Sequence, residues 1–358
     1  MRLVQRMSQR VVMTPLLQQA IHLLQLSTLE LKEVVEQELL HSGDAVEQFY
    51  RALPRPVTVG IESTGYALWF HELMQRLGHT LLVGEAAKIR AMVVRKNQTD
   101  RRDAQHLLDL LKHERFPVVW IPDPATRDLR ALVTHRVRLV RIRTMVKNGL
   151  QAIALNRRLA LGSKLWSQRG RAQLTALDLP RHTAQRREDS LELLTWLETH
   201  IDGLDARILD AAHAHPGARL LLTHPGVGAL TALTTVLVLG PTARFPGSKH
   251  VVSYVGLAPA VRASADTCHL GQITKQGSAL LRWVLGHAAP LAARADEDLH
   301  RLYRTLIHRR GRPKARVAVA RKLLVRLFIM ARDQIDYAEF RRRGRLPPPR
   351  PDLHPSPA

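Results

Sequence analysis

The chain has little of what a secreted or membrane-spanning protein carries, namely cysteine pairs and long apolar runs. One cysteine, Cys268, excludes an internal disulfide and a cysteine-cluster zinc site, and it is typical of a reducing cytoplasm. The longest apolar stretch, 227–239, contains a glycine and three threonines and is shorter than a bilayer-spanning helix. The N-terminus carries no signal-peptide pattern. We therefore expect a cytoplasmic protein without a membrane span.

Acidic residues are also scarce. The chain has 31 Asp and Glu and 54 Lys and Arg, and its formal net charge is therefore +23. Such an excess points to a polyanionic partner, with nucleic acid as the first candidate and an acidic membrane surface as the second. The length of 358 residues allows two or three domains with their own cores. Against this background two aspartates, Asp100 and Asp103, lie in the basic run "RKNQTDRRDA" (95–104).

The first forty residues have a pattern of their own. "MSQRVVMTPLLQQAIHLLQLSTLELKEVVEQELL" (7–40) has Leu and Val at helical spacing and a capping box from Ser27 to Glu30. It predicts a helical hairpin with one apolar face, better suited to docking on a partner than to chemistry. The stretch resembles the activator-interacting region of sigma-fifty-four RNA polymerase factors. That resemblance implies RNA polymerase as a partner of a domain at 1–42, although none of the later sigma segments follows.

Residues 45–123 change to a strand and helix rhythm. A β-branched strand over 57–61, an amphipathic helix and a second strand over 80–83 predict an α/β unit with a parallel pair. A helix then begins near Thr99 and turns Ala104, Leu107, Leu108, Leu110 and Leu111 inward. Glu62 would lie at the end of a strand, and Asp100 and Asp103 on the first turn of a helix, which are places where α/β folds gather sites.

Two interpretations of the aspartates stay open on spacing alone. Either they cap the helix and favour its dipole, worth about 1 kcal/mol, or they form an oxygen cage for Mg²⁺ together with Glu62. Two such ions clamp the attacking and leaving oxygens when a phosphodiester is cut. In the second interpretation the neighbouring cations would hold the DNA backbone: Arg95, Lys96, Arg101 and Arg102.

Three segments in succession, "VGIESTGY" (59–66), "KNQTDRRDAQHLLDLL" (96–111) and "IPDPATRDLRALVTHR" (121–136), resemble the DEDD transposases of the IS110, IS116 and IS902 insertion sequences. The resemblance implies a RuvC-like (RNase H-like) nuclease domain at 45–123, with Glu62, Asp100 and Asp103 as Mg²⁺ ligands. A RuvC-like site also needs a first aspartate on an opening strand. Only Asp44 precedes Glu62, and it falls in a polar turn. The resemblance therefore implies a truncated domain, with an exposed sheet edge and an incomplete acidic site.

Residues 124–215 read as a coiled-coil linker. Leu132, Leu139, Val146 and Ile153 fall seven apart, and so do Leu194, Ile201 and Ile208. These seams predict an antiparallel pair of long helices that forms an arm and a dimer contact. The arginines at 136, 138, 141 and 143 are either a solvated face or a nucleic-acid contact.

The next domain, 216–340, opens with "LLTHPGVGALTALTTVLVLG" (221–240). Pro225, Gly226 and Gly228 predict a tight turn that feeds into a helix, the arrangement of a helix-hairpin-helix that grips a phosphate through backbone N–H groups. Glycine turns between helices are common, so the turn alone is a weak signal. "SYVGLAP" (253–259) and "ITKQGSALLR" (273–282) resemble the C-terminal transposase domain of the same family.

That resemblance implies that Ser264 attacks DNA and holds it as a phosphoserine link. From the residues alone, a serine in a loop among small residues is an ordinary turn residue, and no histidine base stands nearby. The family usually has glycine after this serine, whereas the chain has Ala265. If the loop needs a positive φ there, alanine would strain it.

The segment "HRRGRPKARVAVARKLLVRLFIMARD" (308–333) predicts a basic loop and then an amphipathic helix that packs Val317, Val319, Leu323, Leu324, Leu327 and Phe328. Steep salt dependence of nucleic-acid binding would follow. The basic, proline-rich tail 341–358 is typical of disorder. Outside the acidic region, the predicted nucleic-acid contacts are Gly226, Gly228, Lys275, Arg282, Arg309, Arg310, Arg312 and Lys314.

The sequence thus predicts an α/β plus mostly α protein: a truncated RuvC-like domain, a coiled-coil arm and a helical transposase domain with a helix-hairpin-helix. The resemblance implies a transposase that cuts and rejoins double-stranded DNA with Mg²⁺ and a serine nucleophile, guided by a bridge RNA, as a homodimer or tetramer. One alternative is a nucleic-acid-binding remnant without catalysis. The other is a transcription modulator that binds RNA polymerase through 1–42.

Overall fold

A computed structural model of the chain describes residues 45–53, 56–63, 68–93, 100–264 and 267–344. The chain divides into two units, Met1–Ile121 and Pro122–Ala358. The predicted sigma-like hairpin, Asp44 and residues 345–358 lie outside the described residues. The prediction of a disordered tail from 341 onward is wrong for 341–344, because these residues end a helix, Tyr337–Gly344. The part of the chain that the structure describes is mostly helical, with two small sheets, as the predicted α/β plus α class requires.

The first unit is built on a pair of parallel strands. Its elements are α1 (Ala45–Ala52), β1 (Thr58–Glu62), α2 (Leu68–Leu77), β2 (Thr80–Gly84), α3 (Ala86–Ala91) and α4 (Asp100–Lys112). β1 and β2 run parallel with Thr58 opposite Thr80 and Glu62 opposite Gly84. The predicted strand, helix and strand are therefore confirmed, each within a residue or so of the expected bounds.

The core of this unit explains the alternation in its sequence. Val59 and Ile61 of β1 are 0% and 1% exposed and pack with Phe70 and Met74 of α2. Helix α4 buries the five apolar residues that its helical spacing predicted, and one of them, Leu108, packs in the same cluster as the β1 side chains. This packing places α4, and with it the first turn that carries the two aspartates, beside β1.

Two long helices open the second unit. They are α5 (Pro124–Asn156) and α7 (Arg181–Ala214), joined through a 3₁₀ turn (Gly162–Trp166) and α6 (Gln168–Thr175). Asp123 begins α5 because its Oδ1 accepts a 2.8 Å hydrogen bond from the Thr126 N–H, and Pro124 occupies the first turn.

The predicted seams of the two long helices meet in reverse order. Val133 and Ile208 belong to one core cluster, Leu139 and Ile201 to a second, and Leu150 and Leu194 to a third. A bidentate ion pair, Arg136 to Asp205 with both distances 2.8 Å, crosses between the helices. The antiparallel pair that the heptads predicted is confirmed.

The rest of the second unit is a helical bundle with one hairpin of strands. Its elements are α8 (Pro216–Leu222), α9 (Ala229–Leu239), a 3₁₀ turn (Thr242–Arg244), α10 (Ser248–Val255), β3 (Pro259–Ser264), β4 (Thr267–Ile273), α11 (Ala279–Ala295), α12 (Glu297–Arg310), α13 (Arg312–Asp333) and α14 (Tyr337–Gly344). Helix α13 lies at the centre, with Leu323, Leu324, Leu327 and Phe328 all 0% exposed. The predicted apolar face of this helix is confirmed.

The predicted basic loop ahead of α13 is wrong. Residues 308–310 are the last turn of α12, and Arg312 already begins α13. The chain reverses at Gly311 alone, with φ +79°. The cations Arg309 and Arg310 favour extension of the helix to Arg310, because the helix dipole stabilises positive charge at a helix C-terminus.

No helix among the described residues is long and apolar enough to cross a membrane.

Candidate functional site

Glu62 is a buried carboxylate at the C-terminal end of β1. Its side chain is 4% exposed as a residue, and its Oε1 accepts no hydrogen bond from any residue that the structure describes. The nearest opposite charge is Arg90 on α3, whose Nη2 lies 3.4 Å from that oxygen while its own side chain is largely exposed. A buried carboxylate oxygen without a donor is costly unless a cation compensates it, and oxygen is the ligand that Mg²⁺ prefers.

The two aspartates lie on the first turn of α4, as predicted. Asp103 is half-buried, and like Arg102 it already interacts with another residue. The Asp100 side chain, Arg95, Lys96 and the Arg101 side chain lie outside the described residues. Over the described ranges, no group of three or more His, Cys, Asp or Glu is arranged to hold a metal ion. The oxygen cage therefore stays a prediction whose third member is Asp100.

Ser264 is the last residue of β3, opposite Thr267 on β4. The expectation of a serine in an irregular loop is wrong for its backbone, because cross-strand pairing with Thr267, three residues further on, extends the strand through Ser264. Ala265 and the side chains of 262–270 lie outside the described residues. The structure thus places Ser264 at the tip of a β-hairpin in the second unit, whereas Glu62 and the aspartates belong to the first.

The base of this hairpin is anchored by a strained loop, 274–277. Lys275 has φ +58°, which costs a non-glycine residue about 1 kcal/mol. A Cβ on Gly277, φ +76°, would lie 1.8 Å from the Tyr254 carbonyl oxygen, so only glycine fits against α10 there. Because the backbone of Lys275 is held in this conformation and its side chain is exposed, the loop presents a cation to solvent from a fixed backbone position.

Arg282 holds that loop in place. Its Nη1 donates hydrogen bonds of 2.8 Å to the carbonyls of Val255 and Gln276, and one of 3.2 Å to that of Gly277. Sequence analysis assigned Arg282 to nucleic acid, but the structure gives its guanidinium a role in joining α10, the loop and α11. The signal in the sequence that could have indicated this role is the pair Gly256 and Gly277, because both glycines lie where two backbone segments approach closely.

The glycine turn between α8 and α9 has two unlike faces. Gly226 has φ +80°, and a Cβ there would lie 2.4 Å from the Ala292 nitrogen on α11, so this residue packs into the interior. Gly228 precedes α9 as its N-cap, and a Cβ there would meet nothing within 4 Å. Of the two glycines predicted to touch phosphate, Gly228 is therefore the one that borders open space, and the phosphate grip itself stays a prediction.

Helix α14, near the C-terminal end of the described chain, also contacts the glycine turn. The sequence did not predict this contact. The Tyr337 N–H donates to Thr223 Oγ1 at 2.9 Å, and the Tyr337 ring meets the His224 ring edge-on at 4.7 Å between centroids. His224 is 0% exposed, and burial lowers its pKa from 6.5 to about 4. His224 is thus neutral at pH 7 and acts as a packing residue.

A buried ion pair ties these elements together. Asp296 accepts hydrogen bonds from the Leu299 N–H at 2.8 Å, from Arg326 Nη1 at 2.6 Å and from the Tyr337 hydroxyl. Burial by itself raises the pKa of Asp296, but these hydrogen bonds outweigh it and lower the pKa to about 2. Burial and the bond to Asp296 raise the pKa of Tyr337 to about 12. The network fixes α12, α13 and α14 around the glycine turn.

The turn between α12 and α13 is a strongly basic feature of the second unit. Four predicted contacts lie within six residues around Gly311, all exposed: Arg309, Arg310, Arg312 and Lys314. Arg316, Arg321 and Lys322 continue the positive charge along exposed positions of α13. Clustered exposed cations of this kind are the electrostatic signature of nucleic-acid binding.

Comparison with known proteins matches residues 218–304 to the family described as Transposase IS116/IS110/IS902, and residues 2–41 to the activator interacting domain of the sigma-54 factor. Both resemblances drawn from the sequence are thereby confirmed. A "probable family 20 transposase" of Pseudomonas aeruginosa is 26% identical over 291 residues, which cover 77% of this chain and 84% of the relative.

Two further relatives match over shorter lengths. The "transposase for insertion sequence element IS1111A" of Coxiella burnetii is 28% identical over 242 residues, or 64% of this chain and 65% of that protein. An "insertion element IS110 uncharacterized 43.6 kDa protein" of Streptomyces coelicolor is 31% identical over 146 residues, or 40% of this chain and 36% of that protein. The 218–304 match spans the glycine turn, the Ser264 hairpin and the Lys275 loop.

Proposed function

We propose that this chain, whose residues 218–304 match the Transposase IS116/IS110/IS902 family, is an insertion-sequence transposase that binds double-stranded DNA and cuts and rejoins it. The observation that carries the proposal is that three candidate DNA-contacting features lie within or directly after the matched segment. The matched segment contains the hairpin that ends at Ser264 and the strained loop that presents Lys275, and the exposed basic turn at Gly311 follows directly.

Ser264 supplies the nucleophile in this proposal. Its Oγ attacks a backbone phosphorus, the new Oγ–P bond forms as the P–O bond to the neighbouring nucleotide breaks, and the serine proton leaves to the departing oxygen by way of solvent. The DNA end stays attached as a phosphoserine ester, and the reverse displacement rejoins it. The position of Ser264 at a hairpin tip supports this role, because a tip can reach into a groove.

Glu62, Asp100 and Asp103 hold Mg²⁺ in this proposal. The observation that supports it is Glu62 Oε1, which is buried, accepts no hydrogen bond among the described residues and has the largely exposed Arg90 as an ion-pair partner at 3.4 Å. When bound there, Mg²⁺ would stabilise the negative charge that develops on phosphate oxygens of the DNA during cleavage. The sequence offers Asp44 alone ahead of Glu62 for the family's first aspartate. An acidic site without that aspartate should cleave DNA weakly. The family resemblance implies a guide RNA as the partner that selects the DNA.

The test is a covalent adduct on a denaturing gel. The full chain is incubated with Mg²⁺, the element's end DNA and the flanking transcript, beside Ser264→Ala and the control Ser253→Ala, an exposed serine of α10. An adduct lost only in Ser264→Ala supports the proposal. An adduct that persists in Ser264→Ala overturns the nucleophile, and DNA binding without any adduct assigns the chain to the non-catalytic alternative.

A second candidate function rests on the match of residues 2–41 to the activator interacting domain of the sigma-54 factor. The chain would bind RNA polymerase through 1–42 and act as a transcription modulator. A pull-down of polymerase core by the full chain, compared with a chain that lacks 1–42, tests it. Equal recovery by both chains rejects this function without bearing on transposition.

A further inference from the structure

A cleft of about 1090 Å³ opens in the second unit, between the base of the β3–β4 hairpin and helices α12 and α13. Its floor is apolar and is formed by Leu257, Ile273, Leu302, Val317 and Val325. Its described lining contains no Asp or Glu. Ligand pockets commonly measure about 300–1,000 Å³, so the cleft has room for more than one ring-sized group.

Cations from two elements border this floor. Lys275 reaches it from the strained loop, and Lys314, Arg321 and Lys322 reach it from α13. Along α13, Lys314, Ala318, Arg321 and Val325 recur at helical spacing and so lie on one face. The cleft therefore combines a positive rim with an apolar floor, and the rim continues into the basic turn at Gly311.

We propose that this cleft binds an unstacked nucleotide of the DNA, with its base on the apolar floor and its phosphates on the lysine rim. The inference rests on the proposed transposase function and adds a preference to it. A paired duplex needs only surface cations, since its base faces are hidden in the stack. An apolar floor adds binding energy only for a base that has left the stack, as in proteins that hold single strands or extruded bases.

The length of the β3–β4 hairpin sets the distance between the cleft at its base and Ser264 at its tip. Pro259 and Ile273 pair at the base of the hairpin, and Ser264 and Thr267 pair at its tip. Five residues of strand at about 3.3 Å each separate base from tip by about 17 Å, which is about five nucleotides of a stacked strand. The cleft thus holds the DNA open a few nucleotides from the bond that Ser264 would attack.

The experiment measures the preference of the full chain for an unpaired strand. Fluorescence anisotropy compares a labelled 20-nucleotide single strand with the same sequence as a duplex, for the wild type and for Val317→Gln, which makes the floor polar at constant charge. Leu291→Gln, an exposed residue of α11, is the matched control. We expect a wild-type preference for the single strand that falls about tenfold in Val317→Gln and does not change in Leu291→Gln, while duplex affinity stays constant.

A second variant guards against an unfolded protein. Ala318→Leu occupies the cleft without polar atoms or a change in charge, and it should reduce the same preference. Lys322→Gln should weaken single strand and duplex alike and lower the salt slope by about one, as expected for a phosphate contact. 2-Aminopurine placed in the strand should gain fluorescence on binding the wild type and lose that gain in Ala318→Leu.

Three results would overturn the inference. One is equal wild-type affinity for single strand and duplex. Another is a parallel loss of both affinities in Val317→Gln and Ala318→Leu. The third is displacement of the single strand by a polyglutamate peptide as effectively as by unlabelled DNA of equal charge, which would assign the cleft to an acidic protein segment. The Ser264-dependent adduct is scored on the same wild-type sample, so the transposase proposal stands or fails separately.

Discussion

Gly226 lies directly against the backbone of Ala292, since a Cβ on Gly226 would be 2.4 Å from the Ala292 nitrogen and 2.5 Å from its Cα. The close approach joins the glycine turn to α11, and backbone atoms cannot yield as a flexible side chain can. The turn that carries Gly228 is therefore positioned by a contact within the protein, whatever ligand it meets on its outer side.

Gly226→Ala should destabilise the second unit strongly. The left-handed φ costs about 1 kcal/mol, and overpacking adds about 1–3 kcal/mol. A loss near 3 kcal/mol lowers Tm by roughly 6–12 °C for a unit of this size, measured by thermal unfolding. Gly228→Ala is the matched control, because its φ of −92° and the open space beside it suit alanine. Equal loss in both variants would contradict the packing argument.

Acid should destabilise the protein in two separate pH windows. His224 has a folded pKa of about 4, below its ordinary 6.5, so the unfolded chain binds its proton first and stability falls as pH drops from about 6.5 towards 4. Asp296 has a folded pKa of about 2 against 3.8, so its contribution, full above about pH 4, is lost as pH drops towards 2. At about 1.36 kcal/mol per pKa unit, the His224 window is worth roughly 3 kcal/mol and the Asp296 window roughly 2 kcal/mol.

Urea unfolding at a series of pH values measures both windows. His224→Phe should remove the upper window and keep the lower one, because phenylalanine can keep the edge-on contact with Tyr337 without a titrating ring. Tyr337→Phe removes a hydrogen bond to a buried carboxylate and should cost about 1–3 kcal/mol. A pH profile unchanged by His224→Phe would reject the assignment of the upper window.

Lys275 should show opposite effects on stability and on binding. Lys275→Gly relieves the φ of +58° and should stabilise the fold by up to about 1 kcal/mol, while it removes a cation and weakens DNA binding. Lys275→Ala keeps the strain and loses the same charge, so it should weaken binding equally without a gain in stability. Unfolding midpoints and anisotropy titrations on both variants separate the two effects. A lower unfolding midpoint for Lys275→Gly than for the wild type would reject backbone strain at this position.

The local features of the fold follow from sequence periodicity. Alternation in 57–61 and the helical spacing from Ala104 to Leu111 predicted the parallel strands and the buried face of α4, because each pattern needs only a nearby core to satisfy it. The heptads predicted the antiparallel arm for the same reason. The family resemblance then predicted functional roles for Glu62, Asp103 and Ser264, which residue spacing alone left ambiguous.

The contacts that position the site could not be predicted in that way. Asp296 meets partners 30 and 41 residues away, Arg326 and Tyr337, and no local pattern marks a buried ion pair. Ser264 continues a strand because Thr267 pairs with it, although small residues around it suggested a loop. Glycine and arginine around 311 suggested a loop, but the cations stabilise the end of α12 instead.

Mg²⁺ should stabilise the first unit through Glu62. At Mg²⁺ concentrations a hundred times Kd, a ligand that binds only the folded state adds about 2.7 kcal/mol, measured as a shift in Tm with increasing Mg²⁺. Glu62→Gln replaces the buried carboxylate without changing its shape and should abolish the shift, and Asp103→Asn should reduce it. The control is Glu85→Gln, whose carboxylate pairs with Lys88 at the surface. A shift that survives Glu62→Gln would place the ion elsewhere.

The basic turn at Gly311 should dominate the salt dependence of DNA binding. Each phosphate contact contributes about 0.9 to the slope of log K against log salt on B-DNA, so Arg309→Gln, Arg310→Gln and Arg312→Gln combined should lower the slope by about 2.7. The control combines Arg186→Gln, Arg207→Gln and Arg294→Gln, three exposed arginines on α7 and α11 that remove the same charge. If net charge alone attracts the DNA, both triple variants lower the slope equally. A larger loss at the turn means that these arginines contact the backbone directly, because counterion release is counted per contact and not per charge of the whole molecule.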